Sequence, residues 1–246
     1  MRRFFYDRRI PAEGNIEVTG NLFRHMAKSL RLKIGTTVIL ADEKGRQCTG
    51  VIREIGKESL TISIEQTVKK SGGETGPEIT LYQALPKGSK MEFILQKSTE
   101  LGVSEIVPFA ADRSIPRLPK ERESERLVRW QRIALEAARQ SERAICPRVS
   151  PLRDFSGILD SSAQSVKLLL WEKEQSNRLK PTLSNFPPPE SVAVMVGPEG
   201  GLTEEEAKAA MEAGFIPITL GHRILRTETA AIAILAILQF FWGDVG

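Results

Sequence analysis

Residues 192–201 read Val-Ala-Val-Met-Val-Gly-Pro-Glu-Gly-Gly, and residues 215–227 read Phe-Ile-Pro-Ile-Thr-Leu-Gly-His-Arg-Ile-Leu-Arg-Thr. In the first stretch five apolar residues run into Gly-Pro, the pattern of a buried strand that stops abruptly. Thr203 with Glu206 three residues later is a capping-box pattern, so a helix starts there, and Gly214 stops it. The second stretch is again a strand, 215–220, feeding a glycine-bearing loop and a final apolar helix. If the two strands are parallel neighbours, loops 197–201 and 221–227 lie at one sheet edge, where α/β proteins hold ligands. Neither loop carries the Gly-x-Gly-x-x-Gly of a dinucleotide site or the Gly-Lys-Ser/Thr of a phosphate loop. One such loop alone reads equally well as a tight turn, since glycine adopts positive φ at no steric cost.

Working outward, strands 79–84, 105–109 and 165–171 alternate with helices 90–101 and 121–143. That alternation predicts an α/β domain with a largely parallel sheet. In the first helix Met91, Ile94, Leu95, Ser98 and Leu101 share a face and Gly102 is the stop. In the second, Leu127, Ile133, Ala134, Ala137 and Ala138 form the inner face. The loop 85–90 puts Lys87 and Lys90 near the same sheet edge. Its Lys-Gly-Ser order is reversed for a phosphate loop, so Lys87, Lys90 and Arg113 read either as RNA contacts or as plain surface charge.

Residues 69–77, Lys-Lys-Ser-Gly-Gly-Glu-Thr-Gly-Pro, have no apolar periodicity and mark a boundary. The expected division is a domain over 1–70, a linker over 71–77 and a second domain over 78–246. Within the first seventy residues, short strand-like runs at 15–18, 37–41, 47–55 and 59–65 are separated by turns at 42–45 and 56–57, as in a small β-barrel. Residues 22–32 form a short helical segment in which Arg24, Lys28 and Arg31 recur at i, i+4 and i+7. Such a stripe can follow a phosphate backbone. The opening Arg2, Arg3, Phe4, Phe5, Tyr6, Arg8 and Arg9 mix cations with aromatics, which suits unstacked bases, although Phe4 and Phe5 also suit a buried first strand.

Composition bounds the rest. A 246-residue chain with 41% hydrophobic and 27% charged residues is an ordinary globular protein. Residues 1–70 hold 14 Lys/Arg against 8 Asp/Glu in a chain whose net charge is only +4, so the positive charge gathers at one end, as for a polyanion partner. Cys48 and Cys146 lack metal-ligand spacing and pair with no His motif, so no metal and no disulfide scaffold is expected, in keeping with a reducing cytoplasm. No signal peptide is legible, and the apolar run 230–242 is too short to span a bilayer and includes Gln239. That run is apolar nearly all round, which predicts a helix buried on both sides or one half of a subunit interface.

Taken together, Gly-Pro-Glu-Gly-Gly-Leu-Thr (197–203) and Leu-Gly-His-Arg-Ile-Leu-Arg-Thr-Glu-Thr-Ala (220–230) resemble the signatures of the RsmE-type SPOUT methyltransferases. The likeness continues through His25 and Ser-Leu-Arg-Leu-Lys-Ile-Gly (29–35), and through Glu-Ala-Ala-Arg-Gln-Ser-Glu-Arg (136–143). It implies a C-terminal SPOUT α/β trefoil-knot domain with a parallel sheet, plus a small N-terminal PUA-like β-barrel. It further implies an S-adenosylmethionine-dependent enzyme that methylates N3 of a uridine in 16S rRNA of the small ribosomal subunit, and that works as a homodimer. The general rarity of knots means that only the resemblance carries that part.

On this reading the cofactor-binding residues are Leu169, Leu170, Glu172, Val196, Gly197, Pro198, Gly200, Gly201, Leu220, Gly221, Ile224, Leu225, Thr229 and Ala230. Glycines let backbone approach the ligand, and Leu220, Ile224 and Leu225 supply apolar walls. Methyl transfer to N3 requires loss of the N3 proton, so Glu199, Glu228 and His222 are candidate bases. Arg223 and Arg226 are placed to stabilise charge developing on the uracil oxygens. Glu228 equally fits a helix cap, and Glu199 a loop brace. RNA contacts are expected from Arg2, Arg3, Arg9, Arg24, His25, Lys28, Arg31, Lys87 and Arg113. Two alternatives remain open at this point: a related RNA methyltransferase with another nucleotide target, and a non-catalytic ribosome-assembly protein.

Overall fold

The computed structural model describes residues 1–42, 46–68, 75–114 and 122–245. The turn expected over 42–45 and most of the 71–77 linker therefore lie outside the described residues, as does the first residue of the helix expected over 121–143. The chain divides into two compact units, Met1–Gly73 with Ala138–Cys146, and Glu74–Ala137 with Pro147–Gly246.

The first unit is built on five strands: β1 (Arg2–Phe5), β2 (Asn15–Thr19), β3 (Thr37–Ala41), β4 (Gln47–Ile55) and β5 (Ser59–Val68). They follow the order β1-β3-β4-β5-β2, with β1 parallel to β3 and the other pairs antiparallel. Alternation along β2 buries Ile16 and Val18 while Asn15, Glu17 and Thr19 face water, as a half-buried strand requires. The core gathers Phe4, Ile10, Ile16, Val38, Leu40, Ile52, Leu60 and Ile62 around Met26. The helical segment departs from the expected α-helix over 22–32. It is a short α1 (Gly20–Phe23) followed by a π-helical turn over Arg24–Ser29, with Arg31 beyond it at φ +50°. The wider π turn changes the side-chain spacing, so Arg24, Lys28 and Arg31 do not form a single α-helical stripe.

The second unit holds a parallel sheet of β6 (Glu78–Ala84), β7 (Glu105–Ala110), β8 (Arg148–Val149), β9 (Arg153–Asp154), β10 (Val166–Leu170), β11 (Ser191–Val196) and β12 (Ile216–Ile218). The order is β12-β10-β11-β6-β7-β8, with β9 pairing β7. β11 and β12 are therefore not neighbours: β10 lies between them and pairs in parallel with both. Both strands still end at the same edge. The strand expected over 215–220 shrinks to Ile216–Ile218, and Phe215 instead packs into the core with Tyr82, Phe109 and Met195.

The helices are α2 (Lys90–Glu100), α3 (Glu123–Gln140), α4 (Phe155–Ser161), α5 (Leu179–Ser184), α6 (Glu204–Glu212) and α7 (Thr227–Trp242). α7 starts three residues before the apolar run and buries Ala231, Ile234, Leu235, Leu238 and Trp242. Its other side keeps Ile237, Phe240 and Phe241 exposed, so it is buried on one side rather than two. Among the described residues no helix is long and apolar enough to cross a membrane.

Candidate functional site

Sheet register brings the site together. Ile218 pairs with Leu170, Leu170 with Val196, and Val196 with Gln83, so the last residues of β12, β10 and β11 and the penultimate residue of β6 form one row. Everything just beyond that row shares the carboxyl edge of a parallel sheet, the usual ligand edge. It includes the loop after β11 (197–203), the loop after β12 (219–226), Trp171 and Glu172 after β10, and the loop after β6 (85–89).

Two hydroxyl and amide contacts join the glycine loops. The Thr227 hydroxyl donates to the Gly197 carbonyl at 2.7 Å. The Gln83 amide donates to that same Thr227 oxygen at 3.0 Å and to the Ala84 carbonyl at 2.9 Å. Gln83 and Thr227 are buried, so these bonds act where an unmet polar group would be costly. The end of β6, the end of β11 and the start of α7 are thus one hydrogen-bonded assembly.

The loop after β11 is shaped by two further features. Gly201 sits at φ +70°, a left-handed conformation that favours glycine, and a Cβ there would run into the Glu172 carboxylate. Arg113 donates to the Gly200 carbonyl at 3.0 Å. The loop ends on the capping box: Thr203 Oγ1 accepts from Glu206 N at 3.1 Å, and Glu206 Oε2 accepts from Thr203 N at 2.8 Å. The other Glu206 oxygen accepts from Asp112 N at 2.9 Å, so one buried carboxylate braces the loops after both β7 and β11. Gly221, at φ +115°, has nothing within 4 Å of the place its Cβ would occupy, so its backbone faces open space.

Charge in the site centres on Lys90, the first residue of α2. Its ammonium lies 2.9 Å from Glu199 and 3.2 Å from Glu228. Glu199 also accepts from the Lys87 backbone N–H at 3.1 Å. Burial acts to raise the Glu199 carboxyl, but the bonds from Lys90 and the Lys87 N–H outweigh it and hold the group below its usual range. Lys90 is raised in turn, by its hydrogen bond to Glu199 first and, against a smaller opposing effect of burial, by Glu228. A cation at a helix N-terminus opposes the helix dipole, so the two acids are what stabilise it there.

The remaining sequence-predicted residues fall into groups. Val196, Gly197, Pro198, Gly200, Gly201, Leu170 and Glu172 all lie at this edge, and Gly221, Leu220 and half-buried Leu225 face it from the loop after β12. Leu169 is fully buried one residue behind the edge and packs into the core with Met195. Ile224 is 88% exposed and so forms no enclosed wall in this chain. His222, Arg223 and Arg226 are exposed, giving the rim a positive charge, while Thr229 and Ala230 follow on the first turn of α7.

Among the residues expected to meet RNA, Arg2, Arg9, Arg24, Lys28 and Arg31 of the first unit are exposed. Arg3 instead bonds the Glu142 carbonyl and, at 3.4 Å, Gln47, which makes it a structural brace. His25 meets the Phe4 ring edge-on, with centroids 6.1 Å apart. Lys87 and Arg113 are exposed in the second unit. Sequence reasoning missed Gln83 and Thr227 as organisers of the site, and missed that Lys90 joins two of the three candidate bases, Glu199 and Glu228. The available signal was a lysine at a helix start, where an acid is favoured.

Proteins of one family resemble this chain over nearly its whole length. Residues 74–239 match the RNA methyltransferase domain model, and residues 18–65 match the RNA methyltransferase PUA domain model, which sets the class as an RNA methyltransferase. The ribosomal RNA small subunit methyltransferase E of Bacillus subtilis is 30% identical over 98% of this chain and 96% of its own. That of Synechocystis is 32% identical over 91% of this chain and 72% of its own. Among solved structures, the Neisseria gonorrhoeae ribosomal RNA small subunit methyltransferase E bound to S-adenosylmethionine has a TM-score of 0.87 at 35% identity, covering 100% of both chains. A Legionella pneumophila methyltransferase in complex with the same cofactor has a TM-score of 0.85 at 30% identity over 98% of both chains. The chain belongs to the ribosomal RNA small subunit methyltransferase E family.

Proposed function

We propose that this protein transfers the methyl group of S-adenosylmethionine to N3 of one uridine in 16S rRNA of the small ribosomal subunit. The observation that carries the reading is the Thr227–Gly197 hydrogen bond of 2.7 Å, which ties both glycine loops together at one sheet edge. The residues present suit the cofactor. Backbone at Gly221 faces open space, and two buried polar atoms at this edge, Gln83 Oε1 and Trp171 Nε1, have no protein partner. Gly197, Gly200, Gly201 and Gly221, with Leu170, Leu220 and Leu225, would hold it.

When bound, the cofactor supplies an electrophilic methyl group. The chain's own residues do the rest. The N-terminus of α7 opens at the cleft and favours negative charge there, as does the exposed rim of Arg223 and Arg226. Those arginines are assigned to the charge that develops on the uracil oxygens. Of the two carboxylates on Lys90, Glu228 is the less exposed, 15% against 25%, and stands two residues from Arg226, so the N3 proton is assigned to it. Glu199, held by Lys87 and Lys90, braces the loop. Holding the uracil in line with the methyl group can by itself remove about 7–11 kcal/mol of barrier.

The same reading divides the chain into a PUA-like RNA-binding barrel over 1–70, a linker over 71–77 and a knotted methyltransferase domain over 78–246; the family matches over 18–65 and 74–239 support it. It places a homodimer in the cytoplasm. Ile237, Phe240 and Phe241, spaced i, i+3 and i+4 on α7, give an exposed apolar face for a second copy. Arg2, Arg9, Arg24, Lys28, Arg31, Lys87 and Arg113 are its RNA contacts.

Mass mapping of 16S rRNA from a strain lacking the gene tests the target: one uridine should lose a methyl group, and the purified protein with S-adenosylmethionine should restore it. A missing methyl on a ribose or a different base would replace the target, and cofactor that fails to bind would remove the activity. A Glu228→Gln protein that binds cofactor and keeps full turnover would exclude Glu228 as the base.

A further inference from the structure

A hollow of about 210 Å³ opens beside the site, lined by Leu85, Pro86, Met91 and Trp130 with Arg126 and Arg129 among its polar residues. It shares the loop after β6 with the proposed methyl-transfer site: Lys87 holds Glu199 from that loop, and Lys90 follows it into α2. The hollow is smaller than the roughly 300–1,000 Å³ that enclose drug-sized ligands, and so suits a single planar ring rather than a whole cofactor. Its apolar walls are buried side chains. Of its charged groups, Arg129 is paired with Glu92 at 2.8 Å, whereas exposed Arg126 pairs with no carboxylate among the described residues. A hollow with apolar walls on one part and Glu92, Arg126 and Arg129 on the rest offers a nucleotide a place for its base and, at the unneutralised Arg126, one for a phosphate.

Resting on the reading of the chain as an rRNA methyltransferase, we propose that this hollow receives the base of a nucleotide next to the target uridine. Arg126 holds that nucleotide's phosphate. A strand whose neighbouring base is seated here cannot restack on the target, so the target stays turned out toward Lys90 and Glu228. The hollow is then a specificity subsite, reading the RNA one nucleotide away from the reacting base.

The test uses the full-length protein, unmethylated 16S rRNA and S-adenosylmethionine, with Arg126→Glu as the variant. Arg126 is exposed, and cofactor affinity measured by calorimetry reports whether the variant retains its site. The expected result is a KM for rRNA raised about 10-fold, with kcat and cofactor affinity unchanged and the salt slope of binding reduced by about one phosphate contact. Substrates carrying an abasic nucleotide at each position flanking the target complete the test. The wild type should lose about 10-fold in kcat/KM at one flanking position, equivalent to about 1.4 kcal/mol, and Arg126→Glu should lose little more there. Dispensable flanking bases, or an unchanged KM for Arg126→Glu, would overturn the subsite while leaving methyl transfer intact. A wild-type protein that methylates no RNA would overturn the underlying reading and the subsite with it.

Discussion

The Thr227 hydroxyl donates to the Gly197 carbonyl at 2.7 Å, joining residues thirty positions apart in the chain. Replacement by Val keeps the shape and removes the bond. It also removes the acceptor for the Gln83 amide, which keeps only Ala84. Leaving the half-buried Gly197 carbonyl unmet costs up to about 1–3 kcal/mol. Thr227→Val should therefore melt several degrees lower and bind S-adenosylmethionine about 10-fold more weakly, with Thr227→Ser close to the wild type. Unchanged affinity in the Val protein would show that the loops hold together without this hydroxyl.

Among the described residues Lys90 is the cation that joins the two acidic side chains, so its loss leaves Glu228 without an ion pair and Glu199 with only the Lys87 N–H. Lys90→Met should lower turnover about 10²-fold, because the two carboxylates lose the cation that holds them together beside the site. Lys90→Arg keeps the charge and should retain most of the activity. Turnover that survives in full in Lys90→Met would separate these acids from the chemistry.

Gly201→Ala meets two obstacles: a left-handed backbone at φ +70°, and the Glu172 carboxylate where the new methyl would stand. The backbone alone costs about 1–2 kcal/mol. Adding Glu172→Ala relieves the collision but not the backbone, so the double variant should recover part of the lost stability. Denaturant titration of the four proteins reads the coupling directly, and full additivity would mean that Glu172 simply moves aside.

The pH dependence follows from the direction of two shifts. Glu199 is lowered below its ordinary 4.5, so its contribution is present above 4.5 and fades as pH falls through the folded value. Lys90 is raised above its ordinary 10.5, so its contribution is complete below 10.5 and fades as pH rises through the folded value. The difference in melting temperature between wild type and Glu199→Gln should thus stay level across neutral pH and shrink only in acid, below about pH 4.5. A difference that already changes between about pH 6 and 8 would point to another titrating group.

The elements best read in advance were those with a local signature. The capping box at Thr203 and Glu206 is present as read, because both of its bonds are made within four residues. Strands β3 and β4 keep their expected limits, since alternation and flanking turns are also local. The insertion of β10 between β11 and β12 was not legible: strand order depends on contacts between segments far apart in sequence. The same holds for Gln83, whose importance lies in a bond to Thr227, 144 residues away. The π turn at Arg24–Ser29 escaped notice because its composition also fits an ordinary helix. At Ile224, hydrophobicity suggested an enclosed wall where the fold leaves the side chain in water.

Glu206 uses one carboxylate oxygen for Thr203 and the other for Asp112, while Arg113 next door reaches Gly200. The segment after β7 therefore works as a splint for the glycine turn. Lengthening it by even one residue would shift Asp112 or Arg113 off its mark and let the turn go slack, although neither residue need ever touch the methyl donor.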